Sequence, residues 1–169
     1  EAVTLAEVLA HPFGQAAALS YLAKLHQFHG DWHVGQDAAA RAQRLCVEYD
    51  IPYYLAWNIF LEGWALTEQG HVDQGVAWME EGLADLEAMQ TGLRRPYYLS
   101  LLAEAYGKIG RMDDGLQMVA VGLGQADALA QHLYVPDLQR IQAELLRRQG
   151  ASDRRVEACL QQAVDRARQ

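Results

Sequence analysis

Apolar residues recur along the chain at steps of three and four, in long stretches separated by short polar turns. That period sets one side chain per turn on a common face, so the pattern predicts a succession of amphipathic helices. The breaks are regular. Gly30, Gly70, Gly110 and Gly150 stand 40 residues apart, in the turns HGDWH, QGHVD, IGRMD and QGASD. All four prolines, Pro12, Pro52, Pro96 and Pro136, lie upstream of them. Proline suits the first turn of a helix, where no N–H is needed, and glycine just past a helix supplies the left-handed conformation that ends it.

Each unit therefore reads as Pro, helix A, Gly turn, helix B. Helix pairs are predicted near 12–29/33–49, 52–69/73–90, 96–109/113–132 and 136–149/153–168. Residues 1–10 read as the closing helix of a preceding, truncated unit. The domain plan is one repeat domain over 1–169, divided as 1–10, 11–50, 51–92, 93–133 and 134–169. Pro to Gly spans 18 residues in the first two units and 14 in the last two, a difference of one helical turn. The phrase Pro-Tyr-Tyr-Leu occurs twice, at 52–55 and 96–99.

Small residues recur where paired helices must approach. Ala23, Gly63, Ala103 and Ala143 stand seven before the turn glycines, and Gly35, Gly75 and Gly115 five after. Bulky Leu66, Tyr106 and Leu146 stand four before. Arg155 breaks the pattern in the last unit. A shift of one residue brings in Val156 and aligns Ala163 with Ala42, Gly82 and Gly122, which implies one inserted residue near Ser152.

Composition agrees with the periodicity. The chain has 27 Ala and 23 Leu against 18 Val, Ile and Thr together, a balance that favours helix over strand and predicts an all-α fold. With 169 residues, 51% of them hydrophobic, it can build a core, which excludes a disordered chain. A net charge of −8 excludes a general nucleic-acid binder, because phosphate affinity rests on clustered Lys and Arg. The charge is uneven: residues 1–136 carry 7 basic and 17 acidic groups, residues 137–169 carry 7 and 5. Arg147–Arg148 and Arg154–Arg155 in that tail read as a solvated helix face, or as a patch for an acidic neighbour or anionic surface.

Cys46 and Cys159, without a CxxC, predict two buried thiols in a reducing cytosol. No apolar run approaches the roughly 18 residues of a membrane span. The chain opens Glu-Ala-Val with neither an initiator Met nor a leader pattern, and is expected to be a cytoplasmic piece of a longer protein.

Local chemistry is sparse. The chain contains no GxxxxGK[ST] loop, GxSxG or HExxH, and Ser20, Ser100 and Ser152 have no evident His partner. No catalytic residue and no cofactor is expected. The best metal-ligand set is His26, His29 and His33 with Asp31, but zinc needs three or four converging ligands, and these read as helix-packing and helix-end residues. No metal is expected. Asp113–Asp114 and Glu80–Glu81 read as charge at a helix start and on an exposed face.

The spacing of small and bulky residues about each turn glycine resembles the tetratricopeptide repeat, whose usual period of about 34 is exceeded here through longer helices or loops. The phrases RPYYLSLLAEAYGKIG (95–110), LEGWALTEQG (61–70) and LAKLHQF (22–28) further resemble the C-terminal repeats of large bacterial signalling proteins. In those, a class III adenylate or guanylate cyclase or a protein-kinase domain precedes a P-loop ATPase and then the repeats. The resemblance implies a right-handed α-solenoid of four helix pairs plus one preceding helix. It implies a non-catalytic module that binds a protein, a peptide or its own neighbouring domains through a concave face lined by A helices.

The family's concave positions, carried onto this sequence, point to Lys24 and Gln27, with Ala17, Ser20 and Phe28 beside them. They point next to Trp57, Phe60 and Trp64, to Tyr97, Ser100, Glu104 and Lys108, and to Arg140, Glu144 and Arg147. Trp57, Phe60 and Trp64 form one aromatic stripe at helical spacing. Such a stripe suits core packing or a partner-contacting groove, and both readings stand at this point. The Lys/Asn/Arg clamp of chaperone-binding tetratricopeptide domains is not matched, since Lys24, Trp64 and Glu104 occupy its main positions beside Ser20, Phe60 and Ser100. An acidic C-terminal tail is therefore not the expected ligand. Two other readings follow: a homodimer through the end helices, using residues 1–10 and Val156, Leu160 and Val164, and a small-molecule channel around Trp57, Trp64 and Tyr97.

Overall fold

A computed structural model describes residues 2–168. Among the described residues it is 83% helical, with nine α-helices and no strand. In chain order these are α1 (Ala2–Val8), α2 (Pro12–His29), α3 (Trp32–Glu48), α4 (Pro52–Glu68), α5 (Val72–Ala88), α6 (Arg95–Lys108), α7 (Met112–Ala128), α8 (Val135–Arg148) and α9 (Asp153–Ala167). A 3-10 turn at His132–Tyr134 precedes α8. The helices gather into two compact units, residues 1–91 and 92–169.

The joints between helices follow a rule. Every twentieth residue has a positive φ: Ala10, Gly30, Asp50, Gly70, Gln90, Gly110, Ala130 and Gly150; Arg94, at the N-cap of α6, is a further one off that step. The 40-residue repeat is thus two halves of equal length, each ending in one left-handed residue. A helices end on glycine, which adopts that conformation without steric cost, while B helices end on Ala, Asp or Gln. At most joints the next N–H folds back onto the carbonyl five residues earlier, as in Asp31 to His26 at 2.9 Å and Ile51 to Cys46 at 2.9 Å. Gln131 donates likewise to Ala126 at 2.8 Å. That closure ends α7 at Ala128, short of the 132 expected from the pattern. The last A-to-B turn is one residue longer than the others: α3, α5 and α7 start two residues after their glycine, whereas α9 starts three after Gly150, with Ser152 at its N-cap.

In the first unit α4 and α5 meet backbone to backbone. A Cβ placed on Gly75 would stand 2.5 Å from the Gly63 carbonyl oxygen, and one on Gly82 would stand 2.7 Å from the Ala56 carbonyl oxygen. Ala16, Cys46 and Ile51 form a buried cluster covered by Leu45, Tyr54 and Leu55. A buried polar link joins α2 to α4: Asn58 Nδ2 donates to Ser20 Oγ and to the Tyr54 carbonyl, both at 2.6 Å, and Ser20 Oγ donates to the Ala16 carbonyl at 2.7 Å. The amide nitrogen of Asn58 is thus satisfied while its buried Oδ1 has no hydrogen-bond partner, and the directional Nδ2 bonds favour one register of the two helices.

In the second unit the core is aliphatic. Ala103, Val119, Leu138, Ile141 and Leu145 are buried together, with Met112, Leu116, Met118 and Leu123 packed on them. A Cβ on Gly115 would stand 2.9 Å from the Ala103 carbonyl oxygen and equally close to Leu145 Cδ1, while Gly107 and Gly122 meet side chains alone or first. A Cβ on Gly107 would approach Leu145 Cδ2 at 2.7 Å, and one on Gly122 would approach Leu138 Cδ2 at 3.0 Å.

Candidate binding surfaces

In the first unit the expected aromatic stripe is enclosed. Trp57 and Phe60 are 0% exposed and Trp64 is 7% exposed. Tyr21 of α2 packs edge-on against Trp57 at 5.2 Å between ring centroids, and Tyr54 stacks on it at 5.8 Å. The groove reading of these three residues is therefore corrected to core: α4 has apolar residues on all sides, and neighbouring helices cover most of them.

What lies open instead is on α2. Tyr21, Leu25 and Phe28 are 49%, 51% and 59% exposed, at spacings of four and three that place them on one face. Phe13, 53% exposed, packs edge-on against Tyr54 at 5.4 Å. Of the family-derived positions on this helix, Lys24 and Gln27 are half-buried at the edge of the row, and the Lys24 ammonium sits 5.2 Å from the Phe28 ring centroid. The spacing rule for concave residues missed Tyr21 and Leu25. The available signal was that α2 carries bulky apolar residues around more of its circumference than one buried face needs.

The histidine set does not converge. His26 Nδ1 lies 3.4 Å from Asp31 Oδ2, the His26 and His29 rings are 6.4 Å apart, and His33 stacks on Trp32 at 3.3 Å. Among the described residues no group of three or more His, Cys, Asp or Glu is placed to hold a metal ion. Cys46 is buried, which pushes its thiol up to about 11 and leaves it without nucleophilic character near neutrality, whereas Cys159, expected to be buried, is half-buried beside Gln142 Oε1 at 3.6 Å.

In the second unit Tyr97 and Ser100 are also enclosed, at 2% and 1% exposure, so they too are corrected from surface to core. Burial holds the Tyr97 phenol well above its ordinary range, and Tyr98 and Tyr134 lie against it at 5.3 Å and 5.5 Å. The polar positions are open: Glu104, Lys108, Arg140 and Arg147 are exposed and Glu144 is half-buried. Arg140, Glu144 and Arg147 form a charge ladder along α8. Arg140 pairs with Asp137 at 2.9 Å and reaches Glu104 of α6 at 3.8 Å. Glu144 accepts from Arg147 and Arg148, each at 2.8 Å, which holds its carboxyl below the usual range. Arg148 also donates to the Gly107 carbonyl at 3.4 Å. Exposed pairs of this kind contribute about 0–1 kcal/mol each to stability, so the ladder matters more as a surface than as a brace. The neighbouring Asp113 accepts from Gln149 at 2.7 Å and Asp114 pairs with Arg111 at 2.6 Å, ordinary surface contacts for both.

No protein-family model matches the chain. It is 22% identical over 163 residues to an uncharacterized protein of Rhizobium meliloti (strain 1021), covering 96% of this chain but only 16% of that protein's length. Among solved structures it is similar to a Podosopora anserina protein with nearly identical TPR-like repeats of the kinesin light chain kind, with a TM-score of 0.62 and 14% identity. That match covers 91% of this chain and 75% of the other. A variant of that protein matches with a TM-score of 0.64 at 14% identity, over 90% and 74% of the two chains. The fold is thus an all-α array of TPR-like repeats, a type that commonly presents protein-binding surfaces. Among the described residues, no helix is long and apolar enough to cross a membrane.

Proposed function

We propose that this chain is a non-catalytic protein-interaction module within a longer, cytoplasmic bacterial signalling protein of the cyclase or ATPase type. It binds a partner protein, or domains of its own parent, through the exposed sides of its A helices. The observation that carries this reading is that these sides are open but unlike: an apolar row on α2 and a charge ladder on α8. The great length of the Rhizobium relative, of which the matched part is 16%, supports a repeat region set in a larger chain. Lys24 and Gln27 flank the first surface; Glu104, Lys108, Arg140, Glu144 and Arg147 make the second.

Affinity capture from a lysate of the source organism tests it. The wild type is compared with Tyr21→Ser/Phe28→Ser and Arg140→Ser/Arg147→Ser, each first shown by circular dichroism to melt cooperatively. A protein held by wild type and lost by at least one folded variant is the expected result. Retention of every captured protein by both variants overturns the reading.

A second reading, homo-oligomerisation, is favoured by exposed apolar residues on the first and last helices. Leu5, Val8 and Leu9 are 60%, 77% and 66% exposed, and Leu160 and Val164 are each 43% exposed beside a 530 Å³ groove along α9. Sedimentation of wild type against Val8→Glu and Leu160→Glu separates the two readings.

A further inference from the structure

We draw no further inference here: the strongest candidate, the apolar edge at the joints from B to A helices, where Phe13 and Tyr49 in the first unit and Leu93, Leu129 and Leu133 in the second stand exposed at recurring phases of the repeat, is an open surface patch, and nothing in the structure shows what covers it.

Discussion

The two units share a 40-residue period and differ in how their helices meet. In the first, α4 and α5 are jammed backbone against backbone at Gly63, Gly75 and Gly82. In the second, a Cβ on Gly115 would also stand close to backbone, 2.9 Å from the Ala103 carbonyl oxygen, but Gly107 and Gly122 face Leu145 and Leu138, whose side chains can move. The surfaces differ in parallel. The first unit encloses its tryptophans and leaves a Tyr-Leu-Phe row open on α2, whereas the second encloses its tyrosines and exposes an Arg–Glu ladder. One repeat pattern thus tolerates different interiors and exteriors, because the period is enforced at the joints and not at the faces between them.

The contrast has measurable edges. The largest effect is expected from Gly75→Ala, which forces a methyl group onto the Gly63 carbonyl and the Thr67 amide, and costs about 3 kcal/mol by urea unfolding. Gly107→Ala meets only Leu145 Cδ2 and regains helix propensity, so it is expected to stay within about 1 kcal/mol of wild type. Equal costs for the two substitutions would erase the distinction between rigid and cushioned packing.

Alkaline titration is expected to separate the units next. The Cys46 thiol is raised from 9.0 to about 11 by burial, so the unfolded chain loses that proton first. Its contribution is whole below pH 9 and declines as pH rises through about 11. Tyr97 follows the same sign, its contribution whole below about pH 10 and declining above it. Thermal melts from pH 8 to 11 are expected to fall earlier in the first unit. Cys46→Ala should remove the part of that fall between 9 and 11 and leave the tyrosine part in the second.

The smallest effect lies at the joints. Gln90→Gly relieves a side chain held at φ 55° and is expected to stabilise by about 0.5 kcal/mol, the gain in strain being partly offset by a freer unfolded chain. Gly110→Ala, at φ 79°, is expected to cost about 1 kcal/mol. Thermal melts of the pair check both signs.

Most of the helix plan was legible because its signals are local. Pro12, Pro52, Pro96 and Pro136 sit at or next to the first residue of α2, α4, α6 and α8, and each turn glycine is left-handed. Even the extra residue before α9 could be read, from Ala163 falling out of line with Ala42, Gly82 and Gly122. The B-helix joints were not legible, because Ala10, Gln90 and Ala130 are not types that ordinarily mark a left-handed turn. The open surface was half legible. Charged positions such as Glu104, Arg140 and Arg147 emerged as expected for groups that stay in water. Trp57, Phe60 and Tyr97 did not, since a helix apolar on every side carries no polar stripe to mark which direction faces solvent. Phe28 and Tyr21 illustrate the converse, because apolar character alone does not say that a residue is covered.

The evenly placed left-handed residues also bear on how such a chain changes over generations. Ala10, Asp50, Gln90 and Ala130 occupy the same conformation at the same phase. A recombination that joins the flank of one such residue to that of another therefore adds or removes 40 residues without creating a new kind of joint. Lineages can lengthen or shorten by whole repeats while every seam keeps a geometry already tested by selection, whereas a gain or loss of any other length must be absorbed as a local bulge, as at Ser152.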